Sequence, residues 1–514
     1  MEKGTILWVD DEMELLLPHI LFLRERGYRM ETAVSGADAV EKVRGAGFDL
    51  IFLDEEMPGL GGLETLREIR KISPSLPVVM VTRNEEEPVM DKAIGTGVSD
   101  YLIKPVTRNQ LLLAVKKHVH RPELTEQTLT GDYRQAYPRI EALINSCLSP
   151  AAWEALYREL TDWELNLAAG EPSLRELLEG QRKEAGRRFG RFVRQHYQDW
   201  VAPKAQEPPL LSPRIFPHRV WPLLEAGQRV WLLVVDNLRW DQWRVVRSLL
   251  AGFHIEEEIY WSILPTATQY SRNALFAGLF PGEIARRYPH LWVAETQEEG
   301  KNRHEAELLQ QQMERLGKPC PFSYHKINNG EGLAQLTGRV GELWQKPLTV
   351  VVLNFVDMLS HAGMENGVVR ELAASEGGYR EVTRSWFRHS GVLELLNAVI
   401  DKGAKVVLTT DHGTIRVDRG QKLLGTRETN PNVRYKVGRS LTYNKDEVYE
   451  VLEPGKAGLP SPSLASRYIF ALGSDFFVYP NDYNRYLNLF RDTFQHGGIS
   501  MEEILVPLVT LSGS

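Results

Sequence analysis

Three apolar runs in this chain each lead to an aspartate: Val230–Val235 to Asp236, Val350–Phe355 to Asp357, and Lys405–Thr410 to Asp411. Histidines stand close by. His361 lies four residues after Asp357, His412 follows Asp411 directly, and His496 opens the run His496-Gly497-Gly498-Ile499-Ser500. Hydroxyls cluster in Pro265-Thr266-Ala267-Thr268, just before a helical run that also carries Ser271 and Arg272. Three carboxylates and three imidazoles converging at strand ends would form a nitrogen-and-oxygen metal site, and that donor set suits Zn²⁺. No cysteine belongs to the set, so the site reads as catalytic rather than structural. Two such ions, roughly 3.5–4 Å apart, clamp the attacking and leaving oxygens of an in-line displacement. A hydroxyl bound there becomes a nucleophile, and at a helix N-terminus backbone N–H groups meet the phosphate as well.

A second set lies near the start. Asp10-Asp11 end the first apolar run, Asp54 the third and Thr82 the fourth, and Lys104-Pro105 follow the fifth. Three carboxylates in one small pocket repel one another and invite a hard cation such as Mg²⁺. A lysine and a hydroxyl beside them would bind a phosphoryl oxygen.

These residues need elements to hold them. Over residues 1–120, strand patterns at Thr5–Val9, Met30–Ala33, Leu50–Leu53, Val78–Val81 and Tyr101–Ile103 alternate with helical ones such as Gly36–Ala46 and Leu63–Lys71. That predicts a doubly wound (βα)5 domain with its chemistry at the carboxyl ends of the strands. Residues 121–205 show only helical periodicity, over Arg139–Leu148, Ala151–Asp162, Ser173–Glu179 and Lys183–Trp200, with Pro138 read as a boundary; this predicts a helical bundle. From about 218 to the end the α/β alternation returns, within a domain taken as 206–514, so the fold class is multidomain α/β. Arg182, Lys183, Arg187, Arg188, Arg191 and Arg194 interleave with Phe189, Phe192 and Tyr197. The pattern favours a solvated helix face over an apolar stripe, with phosphate contacts to nucleic acid as the alternative. Trp240, Trp243 and Trp261 read as core or pocket wall, and the polar stretch Gly420–Lys445 as a loop over the site.

The 514 residues suffice for about three domains, and 43% hydrophobic with 25% charged residues is ordinary for a globular chain. A net charge of −7 excludes nucleic-acid binding by bulk attraction. Two distant cysteines, Cys147 and Cys320, make no disulfide framework. No secretory leader pattern and no membrane-length apolar run is present, so the expected compartment is cytoplasmic.

The first 120 residues resemble the CheY-like receiver domain of two-component systems, most specifically through Leu53-Asp54-Glu55-Glu56-Met57-Pro58-Gly59. The resemblance implies that Asp54 accepts the phosphoryl group. Asp10, Asp11, Asp54 and Glu56 (by its carbonyl) would hold Mg²⁺, Thr82 and Tyr101 would form the switch pair, and Lys104 would bind the phosphate. Residues 218–510 resemble the alkaline phosphatase superfamily, and most closely its PglZ branch, through Thr409-Thr410-Asp411-His412-Gly413 and the His496 run. This implies one zinc held by Asp236, Asp411 and His412 with Thr268 beside it, and a second held by Asp357, His361 and His496. The Pro-Thr-x-Thr arrangement favours Thr268 as nucleophile over Thr266 and Ser271, and Arg272 is the candidate for the substrate phosphate.

Taken whole, the chain resembles the PorX-type response regulators of the type IX secretion system. The implied phosphodonor is a PorY-like sensor histidine kinase, and the implied contacts are a sigma factor and secretion-system components. The leading functional expectation is a zinc-dependent phosphodiesterase acting on a nucleotide or oligonucleotide substrate, controlled by Asp54 phosphorylation and homodimer formation. The alternatives are a phosphorylation-switched scaffold and, last, a DNA-binding regulator acting through the basic helix.

Overall fold

The computed structural model describes residues 3–82, 98–119, 121–168, 170–202, 207–295, 297, 300–317, 319–356, 375–424, 430–439, 441–461, 463 and 465–513. They form two compact units, Met1–Arg134 and Gln135–Ser514. No helix among the described residues is long and apolar enough to cross a membrane.

The first unit is built on five parallel strands, β1 (Thr5–Val9), β2 (Arg29–Ala33), β3 (Leu50–Asp54), β4 (Val78–Thr82) and β5 (Asp100–Ile103), in the order β2-β1-β3-β4-β5. Runs such as Ile6-Leu7-Trp8-Val9 are apolar at every position because both faces of the sheet are covered. Ile6, Trp8, Phe52 and Val79 pack one face with Leu23 of α1 (Met13–Arg24) and with Leu111 and Val115 of α4 (Arg108–Val119). Leu7, Val9, Leu53 and Val78 pack the other with Val40 of α2 (Gly36–Gly45) and with Leu66 and Ile69 of α3 (Gly62–Ile72). Ser35 caps α2 by accepting from Asp38 N at 3.3 Å.

Three helices follow: α5 (Arg121–Ser146), α6 (Pro150–Asn166) and α7 (Pro172–Val201). Ser149 caps α6 by accepting from Ala152 N, and Pro150 and Pro172 occupy first turns, where a missing N–H costs nothing. Two expected breaks do not occur. Pro138 lies inside α5, and the gap expected between Glu179 and Lys183 lies inside α7, because the buried faces continue past them through Ile140 and Ile144, and through Gln181 and Ala185.

Within the second unit the main sheet runs β7 (Phe253–Trp261), β18 (Leu505–Gly513), β10 (Lys405–Thr409), β6 (Val230–Val235), β9 (Leu348–Leu353) and β8 (Phe322–Ile327). From β10 to β8 the pairing is parallel; β18 is antiparallel to both neighbours. Between β10 and β18 the chain builds three small sheets from β11 (Ile415–Arg416), β12 (Arg419–Lys422), β13 (Tyr435–Gly438), β14 (Val448–Val451), β15 (Arg467–Ala471), β16 (Asp475–Val478) and β17 (Phe494–Gln495). The expected loop Gly420–Lys445 therefore carries strand structure. Its polar letters mislead because charged residues turn inward. Arg434 is buried against Glu503 at 2.6 Å, and Lys436 is 1% exposed with Nζ donating to Asn430 O (2.9 Å) and Tyr479 Oη (3.3 Å).

Helices α6 and α7 pack into this unit. Phe189 and Trp200 lie against Trp261 at centroid distances of 5.4 and 5.1 Å, and Trp261 Nε1 donates to Glu154 Oε1 at 2.8 Å. A buried ion network runs alongside. Glu164 pairs with Arg182 and Arg380 (2.6 Å each), Arg182 with Glu502 (2.6 Å), Arg380 with Asp241 (3.1 Å), and Arg239 with Asp241 and Glu376. Of the basic run, Arg182 enters this network. Lys183, Arg187 and Arg188 pair with Glu179 and Glu184 along the helix, over a buried stripe of Phe189, Phe192 and Tyr197.

Candidate active site

Strands β6 and β10 run parallel and end side by side, which brings Asp236 to Asp411. Just past β6, Asn237 takes a left-handed backbone (φ 64°), a conformation asparagine tolerates, and its N–H donates to Asp411 Oδ1 at 3.2 Å. Thr410 Oγ1 accepts from Leu238 N (2.9 Å) and donates to His412 O (2.9 Å). From β7, Tyr260 Oη and Ser262 Oγ donate to the carbonyl of Asp411 at 3.2 and 2.7 Å. Gly413 is required by crowding, since a Cβ there would lie 2.0 Å from the Glu502 carbonyl oxygen.

Asp236, Asp411 and His412 each offer a buried donor atom, all within 4.8 Å of one another. His412 Nδ1 lies 3.0 Å from Gly413 O, so its proton sits there and Nε2 is the acceptor. Thr268 Oγ1 is 3.1 Å from that Nε2 and 3.5 Å from Asp236 Oδ1. Thr268 opens helix α8 (Thr268–Ala277), whose first turn has no side-chain cap, and it is half-buried. His496, also half-buried, stacks on His412 with centroids 4.3 Å apart, and its Nδ1 lies 3.1 Å from Thr266 O. Each imidazole thus gives its Nδ1 proton to a backbone carbonyl, the arrangement that readies Nε2 for a metal. Thr266 Oγ1 bonds Gly498 O and Gly497 N, which makes it structural, and Ser271 Oγ is buried on backbone carbonyls. Asp357 and His361 lie outside the described residues.

Arg272 does not stand at the solvent side. It is buried, with Nη1 2.6 Å from Asp236 Oδ2 and Nε 2.5 Å from Glu305 Oε1. Glu305 in turn accepts from Tyr324 Oη. Burial pushes Asp236 up to about 6, against the pull of Arg272, and raises Asp411 while lowering His412. Asp411 Oδ2 is buried and has no hydrogen-bond partner among the described residues. A carboxylate oxygen with His412 Nε2 3.7 Å away and Asp236 close by fits a divalent cation, the group that would complete its surroundings.

In the first unit, Lys104 Nζ lies 2.8 Å from Asp10 Oδ2 and 2.9 Å from Asp54 Oδ2. Asp10, Asp11 and Asp54 have donor oxygens within 4.8 Å of one another, with Asp11 exposed. Burial lifts the Asp54 carboxyl above its usual range despite Lys104. Burial also disfavours the Lys104 ammonium, but its bonds to Asp10 and Asp54 outweigh that and raise it. Thr82 is buried at the end of β4, Tyr101 is half-buried with no hydrogen-bond partner for its hydroxyl among the described residues, and Glu56 is exposed.

Glu305, Tyr324, Asn354 and Tyr197 were not legible as site residues. Asn354 accepts from Arg272 at 3.4 Å, and Tyr197 Oη accepts from Leu264 N at 2.8 Å. None carries a local sequence signal, although a charged residue, Arg272, four positions after Thr268 invites the search for its counter-charge.

Residues 6–116 match the response regulator receiver domain, residues 123–201 the PorX response regulator linker domain, and residues 215–511 the BREX system PglZ alkaline phosphatase-like domain. A receiver carrying an alkaline phosphatase-like output defines a two-component response regulator with a domain of a hydrolase superfamily. The PglZ match spans more than half of the residues, so the chain belongs to the PglZ alkaline phosphatase-like family, and with the linker its make-up is that of a PorX-type regulator. The transcriptional regulatory protein ZraR of Klebsiella oxytoca is 34% identical over 151 residues, 28% of this chain and 34% of that protein. ResD of Bacillus subtilis is 34% identical over 123 residues, 24% of this chain and 51% of its own. The chain thus spans between a third and half of the length of these relatives. Among solved structures, CheY4 of Vibrio cholerae (27% identity, 22% of this chain, 98% of that one, TM-score 0.22) and a Clostridium thermocellum receiver domain (31%, 24%, 98%, 0.22) are similar to it.

Proposed function

We propose that the PglZ domain is a zinc-dependent phosphodiesterase with Thr268 as nucleophile, acting on nucleotide-type diesters under the control of Asp54 phosphorylation. The observation that carries this is Thr268 itself. It stands half-exposed at an uncapped helix N-terminus, with Oγ1 3.1 Å from His412 Nε2 and next to Asp236. Asp236, Asp411 and His412 would hold one zinc, and His496 with Asp357 and His361 the other. When bound, the ions supply Lewis acidity at the phosphorus and lower the cost of ionising the threonine hydroxyl. Arg272 holds Asp236 by Oδ2, which leaves Oδ1 toward Thr268. The uncapped amides opening α8 would receive the phosphoryl oxygens. Thr268 Oγ1 gives its proton to solvent and bonds to phosphorus as the ester oxygen leaves with its electron pair; water then bonds to phosphorus, the Oγ1–P bond breaks, and a proton from that water returns to Oγ1. Bis-p-nitrophenyl phosphate with zinc-loaded protein tests this. Turnover falls at least about 100-fold in Thr268→Ala, and an absence of zinc-dependent turnover in the wild type overturns the reading.

For control, Asp54 would receive the phosphoryl group from a sensor histidine kinase, with Mg²⁺ held by Asp10, Asp11, Asp54 and the Glu56 carbonyl. The added charge of about −1.5 to −2 would draw Lys104 and Thr82 toward it, with Tyr101 following. The PorX-type domain set supports a place upstream of type IX secretion and a homodimer formed on phosphorylation. Acetyl phosphate with Mg²⁺ labels the wild type and leaves Asp54→Asn unlabelled; labelling of that variant would remove Asp54 from its role.

A further inference from the structure

The nucleophile loop is held from outside the PglZ domain. Leu264 is 1% exposed, so its N–H has no access to water, and its acceptor is Tyr197 Oη, 2.8 Å away on α7. Tyr197 is fixed in turn by packing, with Trp200 edge-on at 6.5 Å and Trp200 itself against Trp261 at 5.1 Å.

From Leu264 the chain reaches the site in four residues, each tied. Pro265 O accepts from Ala267 N at 2.7 Å. Thr266 Oγ1 donates to Gly498 O (2.9 Å) and accepts from Gly497 N (3.0 Å). Thr266 O faces His496 Nδ1 at 3.1 Å, and Thr268 follows two residues on. A shift of the backbone at Leu264 therefore moves two things together: the carbonyl that orients His496 and the oxygen that attacks.

We propose that Tyr197, a residue of the helical linker, is a positioning residue for Thr268 and His496, acting through the backbone of Leu264–Ala267. The proposal rests on the hydrolase reading above and gives that site a member supplied by the linker. A buried N–H that loses its acceptor must find another or draw in water. Either outcome displaces the loop, and displacements near 1 Å at a reacting centre cost about 100-fold in rate.

Tyr197→Phe removes one oxygen and keeps the ring. In the full-length, zinc-loaded chain it lowers kcat for bis-p-nitrophenyl phosphate by about tenfold or more, with KM within about threefold. Two readouts do not depend on turnover. Competition against a chromophoric chelator shows weaker zinc retention, because His496 loses its orientation. Hydrogen exchange of the metal-free protein shows the Leu264 amide and the 262–268 peptide exchanging at least about tenfold faster. Phe189→Leu is the control. It thins the packing against Trp261 without touching any hydrogen bond of the loop, so it lowers the melting temperature and leaves kcat unchanged. Tyr197→Phe with wild-type kcat and a protected Leu264 amide overturns the proposal. So does a loss of kcat in both variants that simply follows their loss of melting temperature. If the wild type shows no turnover, the hydrolase reading fails, and exchange and zinc retention still decide the role of Tyr197.

Discussion

Replacing Lys436 by methionine should stabilise the protein at neutral pH. The ammonium is enclosed at 1% exposure, and its partners are a carbonyl and a tyrosine hydroxyl; among the described residues no carboxylate pairs with it. Burial pushes its pKa from 10.5 down to about 8. Each tenfold change in proton affinity corresponds to about 1.4 kcal/mol, so enclosing the charged form costs about 3 kcal/mol. Methionine removes that cost and forfeits the two hydrogen bonds, worth about 1 kcal/mol net, which leaves a gain of about 2 kcal/mol. The Gln135–Ser514 unit has about 380 residues, and an unfolding entropy of about 0.8 kcal/mol/K follows for that size, so the melting temperature rises by about 2–3 °C. The sign with pH is fixed. Between about 8 and 10.5 the unfolded lysine binds more protons than the folded one, so wild-type stability from this group rises with pH. Lys436→Met should therefore lead at pH 7, lose its lead above pH 8, and have none by pH 10.5. Scanning calorimetry of both proteins at matched pH values is the assay. A variant less stable than wild type at pH 7, or a gap that ignores pH, would refute the reasoning.

Arg272→Gln takes the closest counter-charge from two buried carboxylates, Asp236 and Glu305, leaving Glu305 with Lys326 at 3.5 Å and the Tyr324 hydroxyl, and should cost about 3–5 kcal/mol in metal-free protein by thermal denaturation; adding Glu305→Gln should recover part of it. An unchanged melting temperature in the single variant would show that the pair carries no weight. Chelation followed by zinc at about 100 times its dissociation constant should raise stability by about 2.7 kcal/mol per site, read as a zinc-dependent melting temperature that Asp411→Asn reduces. A melting curve indifferent to zinc counts against the metal site.

The parts of the fold that could be read from letters are those whose neighbours are dictated by burial on both faces. Leu232-Leu233-Val234-Val235 and Val406-Val407-Leu408 have no choice but a covered sheet, and parallel pairing then puts Asp236 beside Asp411. What could not be read depends on partners chosen in three dimensions. Arg272 and Glu305 are 33 residues apart in sequence and in contact in space, and Tyr197 meets Leu264 across 67. The strands within 420–445 were hidden because Arg434 and Lys436 bury charge, which a hydropathy pattern scores as loop. Pro138 reads as a stop, and the stretch between Glu179 and Lys183 as a gap, because local propensity says so, whereas tertiary packing of the surrounding stripe overrides it.

The place of β18 in the sheet has a temporal meaning. It is inserted between β7 and β10, and it is the strand through which β7 joins the other four. About 240 residues separate the end of β7 from the start of β18, a gap the ribosome covers in roughly 10–50 s at ordinary rates. For that interval the segment leading to Thr268 has been made but its neighbour in the sheet has not. A nascent chain would carry β7 without its ladder partner, exposed to chaperones and to other copies of itself, until β18 arrives.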